Sequence, residues 1–181
     1  GGLVLPAAIS RGIYGVLRPT ETPTAWLYST LDEKELLLPL DTEFTYTPHW
    51  GWANYPLGII QYLKNKGFGI NGFELLFHSD LPVGSGLSSS AAVVVLTAYI
   101  FSNHLRDHSD GHKDLARIGK RVENEFIGVS CGIMDQFAVA MGKKDHAILL
   151  DCDKLGYKYI PLNLGDYRLV ILNTNKKREL V

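Results

Sequence analysis

Residues 81–92 read Leu-Pro-Val-Gly-Ser-Gly-Leu-Ser-Ser-Ser-Ala-Ala, and the apolar run that opens at Ala91 continues to Phe101 with only Thr97 interrupting it. A glycine loop feeding a segment of that length and character constrains the fold strongly. The run is too short to span a bilayer and suits a buried helix entered through a tight turn. Glycine carries no Cβ, so the backbone N–H groups of such a loop can approach a phosphate closely. The first turn of the helix adds its own unpaired N–H groups and the positive end of its dipole. A serine hydroxyl there can cap the helix, donate to phosphate, or ligate magnesium. On glycine and serine alone, two readings stand: a phosphate cradle, or an ordinary glycine turn with a serine-capped helix. The loop is not of the Walker type, because Leu87 and Ser88 follow Gly86 where a lysine and a Ser/Thr would stand. It is not the Rossmann fingerprint either, because position 89 is serine rather than a third glycine or alanine.

The 181 residues suit one domain with the beginning of a second. A formal net charge of -1 gives no broad attraction to nucleic acid or an anionic membrane, so neither is expected as a partner. Cys131 and Cys152 have no metal-ligand or redox spacing, and no basic segment leads into a hydrophobic core at the start of the chain. A reduced, cytoplasmic setting is the expectation.

Short β-branched and apolar runs at 3–9, 13–17, 25–29 and 35–40 are separated by turn-formers, which predicts four strands. Apolar spacing over 52–66, closed by Gly67, predicts a helix, and 73–78 predicts a strand leading to the glycine loop. Residues 88–105 are ambiguous locally, because Val93, Val94 and Val95 favour strand; length and the serine cap argue for helix. Further helices are predicted over 113–126 and around 133–141, then strands at 147–150, 157–160 and 169–173. Strands at both ends and helices between them give an α+β fold, with a mixed or antiparallel sheet and its helices on one face.

Outside the loop, Asp135 stands among apolar residues just after Gly132. It can be a dipole-favoured acid in a first helical turn, or a carboxylate that orients or deprotonates a substrate hydroxyl. Glu123 lies near the end of the preceding predicted helix, where an acid faces the wrong end of the dipole unless a cation offsets it. Lys120 and Arg121 can do so, and so can a bound Mg²⁺, which typically takes one or two protein oxygens and fills its shell with water and phosphates. His104, His108 and His112 recur every four residues, but Ser109, Asp110 and Gly111 interrupt them, which argues against a metal site on one helical face. Trp50, Trp52 and Tyr55 read as core on spacing, with a base-stacking role still open.

Taken together, these residues resemble the galactokinase family of the GHMP small-molecule kinases. The loop is similar to that superfamily's ATP-phosphate motif. Cys131 to Phe137 is similar to the segment that carries the family's catalytic aspartate. Gly1 to Ile9 resembles the tail of its N-terminal signature, and Trp52 to Tyr55 and Leu172 to Asn175 follow the family's run of sequence. The resemblance implies the GHMP N-terminal fold, similar to ribosomal protein S5 domain 2, over residues 1–160, with 161–181 beginning a C-terminal domain. It implies ATP-dependent phosphorylation of the anomeric hydroxyl of galactose, in galactose catabolism. Asp135 would act on that hydroxyl, with Gly132 near the sugar. Ser90 and Glu123 would hold Mg²⁺. Gly84, Ser85, Gly86, Leu87, Ser88 and Ser89, with Ser90, would hold the ATP phosphates, and Trp52 and Tyr55 would flank the adenine.

The family's arginine and its Glu-His-Thr-Asp sugar clamp do not appear before Gly1, and its third motif does not appear before Val181. On this reading the chain is a fragment, expected to have no useful turnover alone and to self-associate through apolar surface. Kinases for N-acetylgalactosamine or galacturonate remain alternatives, as does a non-catalytic galactose sensor. The intact serine loop and Asp135 favour an enzyme.

Overall fold

A computed structural model describes residues 2–82, 86–104 and 111–172. The elements run β1 (Leu3–Val4), β2 (Ile13–Pro19), β3 (Thr24–Ser29), β4 (Lys34–Pro39), a 3₁₀ segment (Pro48–Ala53), α1 (Asn54–Asn65), β5 (Phe73–Ser79), α2 (Ser89–His104), α3 (Gly111–Val122), a π-helical turn (Glu123–Ile127), α4 (Met134–Met141), β6 (His146–Asp151) and β7 (Tyr157–Pro161). This is the expected α+β layout.

The strands form two sheets. Four of them lie in the order β2-β5-β3-β4, with β3 and β5 parallel and the other pairs antiparallel; β1-β6-β7 form an antiparallel sheet of three. Alternation sets the faces of the larger sheet. Ala25, Leu27 and Ser29 of β3 point inward, level with Phe73, Leu75 and Phe77 of β5. Helices α1 and α2 close that face with Leu57, Ile60, Val94, Ala98 and Phe101, and each of these side chains larger than alanine contributes roughly 1.5–3 kcal/mol by its burial. Gly15 of β2 lets α2 come close, since a Cβ there would lie 2.9 Å from Ile100 Cδ1.

The valine run in α2 shows tertiary burial overriding local strand preference. The helix is apolar around most of its circumference, as a helix packed on several sides must be. Thr97, fully buried, satisfies its hydroxyl on the Val93 carbonyl at 2.8 Å. Behind it, α3 buries Leu115, Ala116, Gly119 and Val122. Phe137 of α4 joins Ala116, Ile133, Ile148 and Leu150 in a second, smaller cluster against the three-stranded sheet.

Three expectations need correction. The predicted strand 3–9 shrinks to Leu3–Val4; proline has no N–H for a ladder, and the Pro6 carbonyl instead accepts from Ile148 N at 2.8 Å. The helix predicted over 113–126 changes at Val122 into the π turn, which ends at Gly128 in the left-handed region (φ 84°). Residues 169–172 are exposed and pair with no strand among the described residues, and an unpaired extended segment is not a strand; Asn173 lies outside the described residues.

Candidate active site

The glycine loop emerges from β5 over a stem pinned by side chains. Asp80 Oδ1 accepts from Gly12 N at 2.6 Å, and Ser79 Oγ accepts from Leu81 N at 3.2 Å. Gly84 and Ser85 lie outside the described residues. Gly86 (φ 69°) and Ser88 (φ 55°) both occupy the left-handed region, which is strained for serine. Ser88 precedes α2, one residue later than the expected helix start, and its carbonyl accepts from Ala92 N at 3.0 Å.

Gly86, Leu87 and Ser88 line a cleft of about 470 Å³, and Asp135 lines the same cleft. The structure thus brings together the two features that the sequence holds almost fifty residues apart. Asp135 is half-buried in the first turn of α4, where the dipole favours its charge. The far end of that helix is tied down, as Tyr159 Oη donates to the Met141 carbonyl at 2.8 Å. Two other residues of the cleft had no signal in the sequence, exposed Arg11, whose Nη1 donates to the Asp80 carbonyl at 3.2 Å, and Tyr99; Tyr99 packs edge-on at 6.1 Å against His112, which the sequence raised only through its histidine spacing. His108 lies outside the described residues, and among those described no three His, Cys, Asp or Glu side chains form a metal group.

Ser89, Ser90, Trp52 and Tyr55 line a second cavity of about 200 Å³. Ile13 and Leu81 line both spaces, so the two are neighbours on either side of these side chains. Trp52 packs edge-on to Phe77 at 5.6 Å; it is both a core residue and a wall of the cavity. Its position depends on Asn54, which is buried. Asn54 Oδ1 accepts from Thr47 N at 2.9 Å, and Asn54 Nδ2 donates to the Thr47 and Gly51 carbonyls at 2.9 and 3.0 Å.

Glu123 lines neither space and is only 4% exposed. The cations next to it in sequence do not neutralise it. Arg121 pairs with Glu125 at 2.9 Å, and among the described residues no ion pair reaches Glu123. Its charge is felt nearby, however. Burial pushes the Tyr55 hydroxyl and the Cys131 thiol up from their ordinary pKa values, and the Glu123 carboxylate pushes both further. Gln136, which the sequence did not single out, donates Nε2 to Glu123 Oε2. Gly132 is exposed, two residues before α4, and lines neither cleft.

Backbone groups at a helix start, an aromatic-walled cavity and a carboxylate in the neighbouring cleft thus lie in one region of the fold. Comparison with known proteins gives the fold a family. Residues 54–143 match the GHMP kinases N terminal domain. The chain belongs to the GHMP kinases, and its fold is that of their N-terminal domain.

Within that family it is similar to galactokinases. It is 44% identical over 180 residues to galactokinase of Clostridium tetani, covering 99% of this chain and 46% of that one. It is 46% identical over 187 residues to galactokinase of Limosilactobacillus reuteri, covering 99% and 47%. The crystal structure of Lactococcus lactis galactokinase complexed with galactose superposes with a TM-score of 0.90 at 39% identity, covering 99% of this chain and 47% of that one. The chain spans about half the length of the curated relatives it matches.

Proposed function

We propose that the complete protein transfers the terminal phosphoryl group of ATP to the anomeric hydroxyl of galactose. The observation that carries this reading is the single cleft lined by Gly86, Leu87 and Ser88 on one wall and Asp135 on the other. The likeness to galactokinases supplies the sugar. In this reading Trp52 and Tyr55 flank the adenine. The loop, with Gly84 and Ser85, and Ser88, Ser89 and Ser90 hold the phosphates by N–H and hydroxyl donors. Asp135 accepts a hydrogen bond from the attacking hydroxyl and receives its proton as the oxygen gains a bond to phosphorus. Gly132 borders the sugar. Residues 1–160 form the ATP-binding domain, and 161–181 begin the next.

Glu123 fits Mg²⁺, since a buried carboxylate without an ion pair among the described residues leaves a negative charge to be compensated. Ser90 and Glu123 would hold the ion, and when bound it supplies positive charge to the phosphates. No helix among the described residues is long and apolar enough to cross a membrane, and both cysteines are free thiols, which supports a cytoplasmic setting. Exposed Leu169, Val170, Ile171 and Leu172 support self-association of the 181-residue chain.

The test is galactose-dependent ADP release by the complete protein and its Asp135→Asn variant. The variant is expected to lose about 10²–10⁴-fold in kcat while keeping its affinity for ATP. Unchanged turnover would remove Asp135 from the chemistry. Full activity on another sugar with none on galactose would reassign the substrate.

A further inference from the structure

We infer that Gln136 is a positioning residue that holds the Glu123 carboxylate in place for the metal and ties it to the helix carrying Asp135. This rests on the reading of Glu123 as a magnesium ligand. Gln136 is 1% exposed, and its Nε2 donates to Glu123 Oε2 and reaches Cys131 Sγ at 3.5 Å. Among the described residues its Oε1 has no hydrogen-bond partner. That orphan acceptor is informative. A carboxylate only accepts, so the amide must face it through Nε2, and Oε1 is then left buried without a donor. Packing alone would be served as well by methionine, which fills the same space and strands no polar atom. The fold keeps the amide at the cost of an unsatisfied oxygen, and what it gains is the hydrogen bond to Glu123.

The surroundings are arranged for that reach. Gly119 of α3 gives the Gln136 side chain room, because a Cβ there would come within 3.3 Å of Gln136 Cγ and 2.9 Å of Val94 Cγ2. Glu123 opens the π turn, whose widened hydrogen-bond pattern re-aims a side chain that an uninterrupted α-helix would present elsewhere. Asn124 closes the link from the other side, with Oδ1 accepting from Cys131 N and Cys131 Sγ, both at 3.1 Å. Two consecutive residues of α4 thus serve two tasks. Asp135 faces the cleft, and Gln136 faces inward to the buried carboxylate.

The test is ADP binding to the complete protein by calorimetry, in Mg²⁺ and in EDTA. Gln136→Met keeps the volume and removes the donor. Its Mg²⁺-dependent gain in affinity is expected to fall about 10–100-fold, with EDTA affinity and melting temperature unchanged. Glu123→Gln should abolish the gain, and the double variant should bind no more weakly than Glu123→Gln alone. A full gain in Gln136→Met beside a lost gain in Glu123→Gln overturns the role of Gln136 and leaves the ligand reading standing. A full gain in Glu123→Gln overturns both. If Gln136→Met fails to fold, Gln136→Asn, whose amide is one methylene short of Glu123, replaces it. An equal fall for Gln136→Asn in Mg²⁺ and EDTA would mark the residue as merely structural.

Discussion

On one side of Ile13 and Leu81, Trp52, Tyr55, Ser89 and Ser90 stand on a core that takes in β3, β5, α1 and α2. On the other side, Asp135 stands on an eight-residue helix backed by Phe137, Ile148 and Leu150. The first wall is fixed by packing from several elements at once, and the second by a handful of side chains. On the proposed function, the difference teaches how a site for phosphoryl transfer would divide its labour. The wall read as nucleotide-binding is rigid because the main core builds it. The wall carrying the acid has less beneath it, so it is more easily disturbed without disturbing the other.

The most disruptive way to test that contrast is to hollow out each wall in turn. Phe137→Ala should cost about 3–5 kcal/mol in denaturant unfolding of the complete protein, and Leu75→Ala about 2–5 kcal/mol. The kinetic pattern separates them: Phe137→Ala should lower kcat more than it weakens ATP binding, whereas Leu75→Ala should impair both together. Matching kinetic losses in the two variants would erase the distinction between the walls.

A subtler change probes the joint that carries Glu123. Gly58 of α1 faces the π turn, and a Cβ there would lie 2.6 Å from Val122 Cγ1 and 2.8 Å from Phe126 Cδ1. Gly58→Ala should cost about 1–3 kcal/mol through overpacking. It should also raise the KM for MgATP with little change in the KM for galactose; an unchanged KM for MgATP would disconnect the π turn from the nucleotide.

The smallest effect is expected at the β6–β7 turn on the acid side. Asp151 Oδ1 accepts from the backbone N–H groups of Asp153 and Lys154, at 3.0 and 3.2 Å, and these bonds hold its pKa below the ordinary carboxylate value. A depressed folded pKa gives stability that is present above the unfolded pKa and is lost as pH falls through the folded one. The melting temperature should therefore fall slightly more steeply with acidification in the wild type than in Asp151→Asn, over the range from the ordinary carboxylate pKa downward. Parallel curves would show that the turn contributes nothing.

Much of this was legible in the residues. The loop and α2 follow from glycine, serine and a long apolar run, because a helix of that length needs no distant partner to be recognised. Asp135 was visible through its place after Gly132. The π turn was not, since slipping the hydrogen bonds by one residue leaves the apolar spacing of a helix nearly intact. Gln136 was hidden for a different reason: its significance appears only when folding brings it to Glu123. The neutralising partners also had to be seen, because Arg121 lies two positions from Glu123 and from the sequence could serve it, yet it pairs with Glu125 one turn on.

Photolabelling of the complete protein with azidoadenosine triphosphate, followed by peptide mapping, tests most directly whether the two walls are separate. The label is expected on the peptide containing Trp52 and Tyr55, equally in the wild type and in Asp135→Asn, with ATP competing it away. Label on the α4 peptide instead, or its disappearance in Asp135→Asn, would contradict the division of the site.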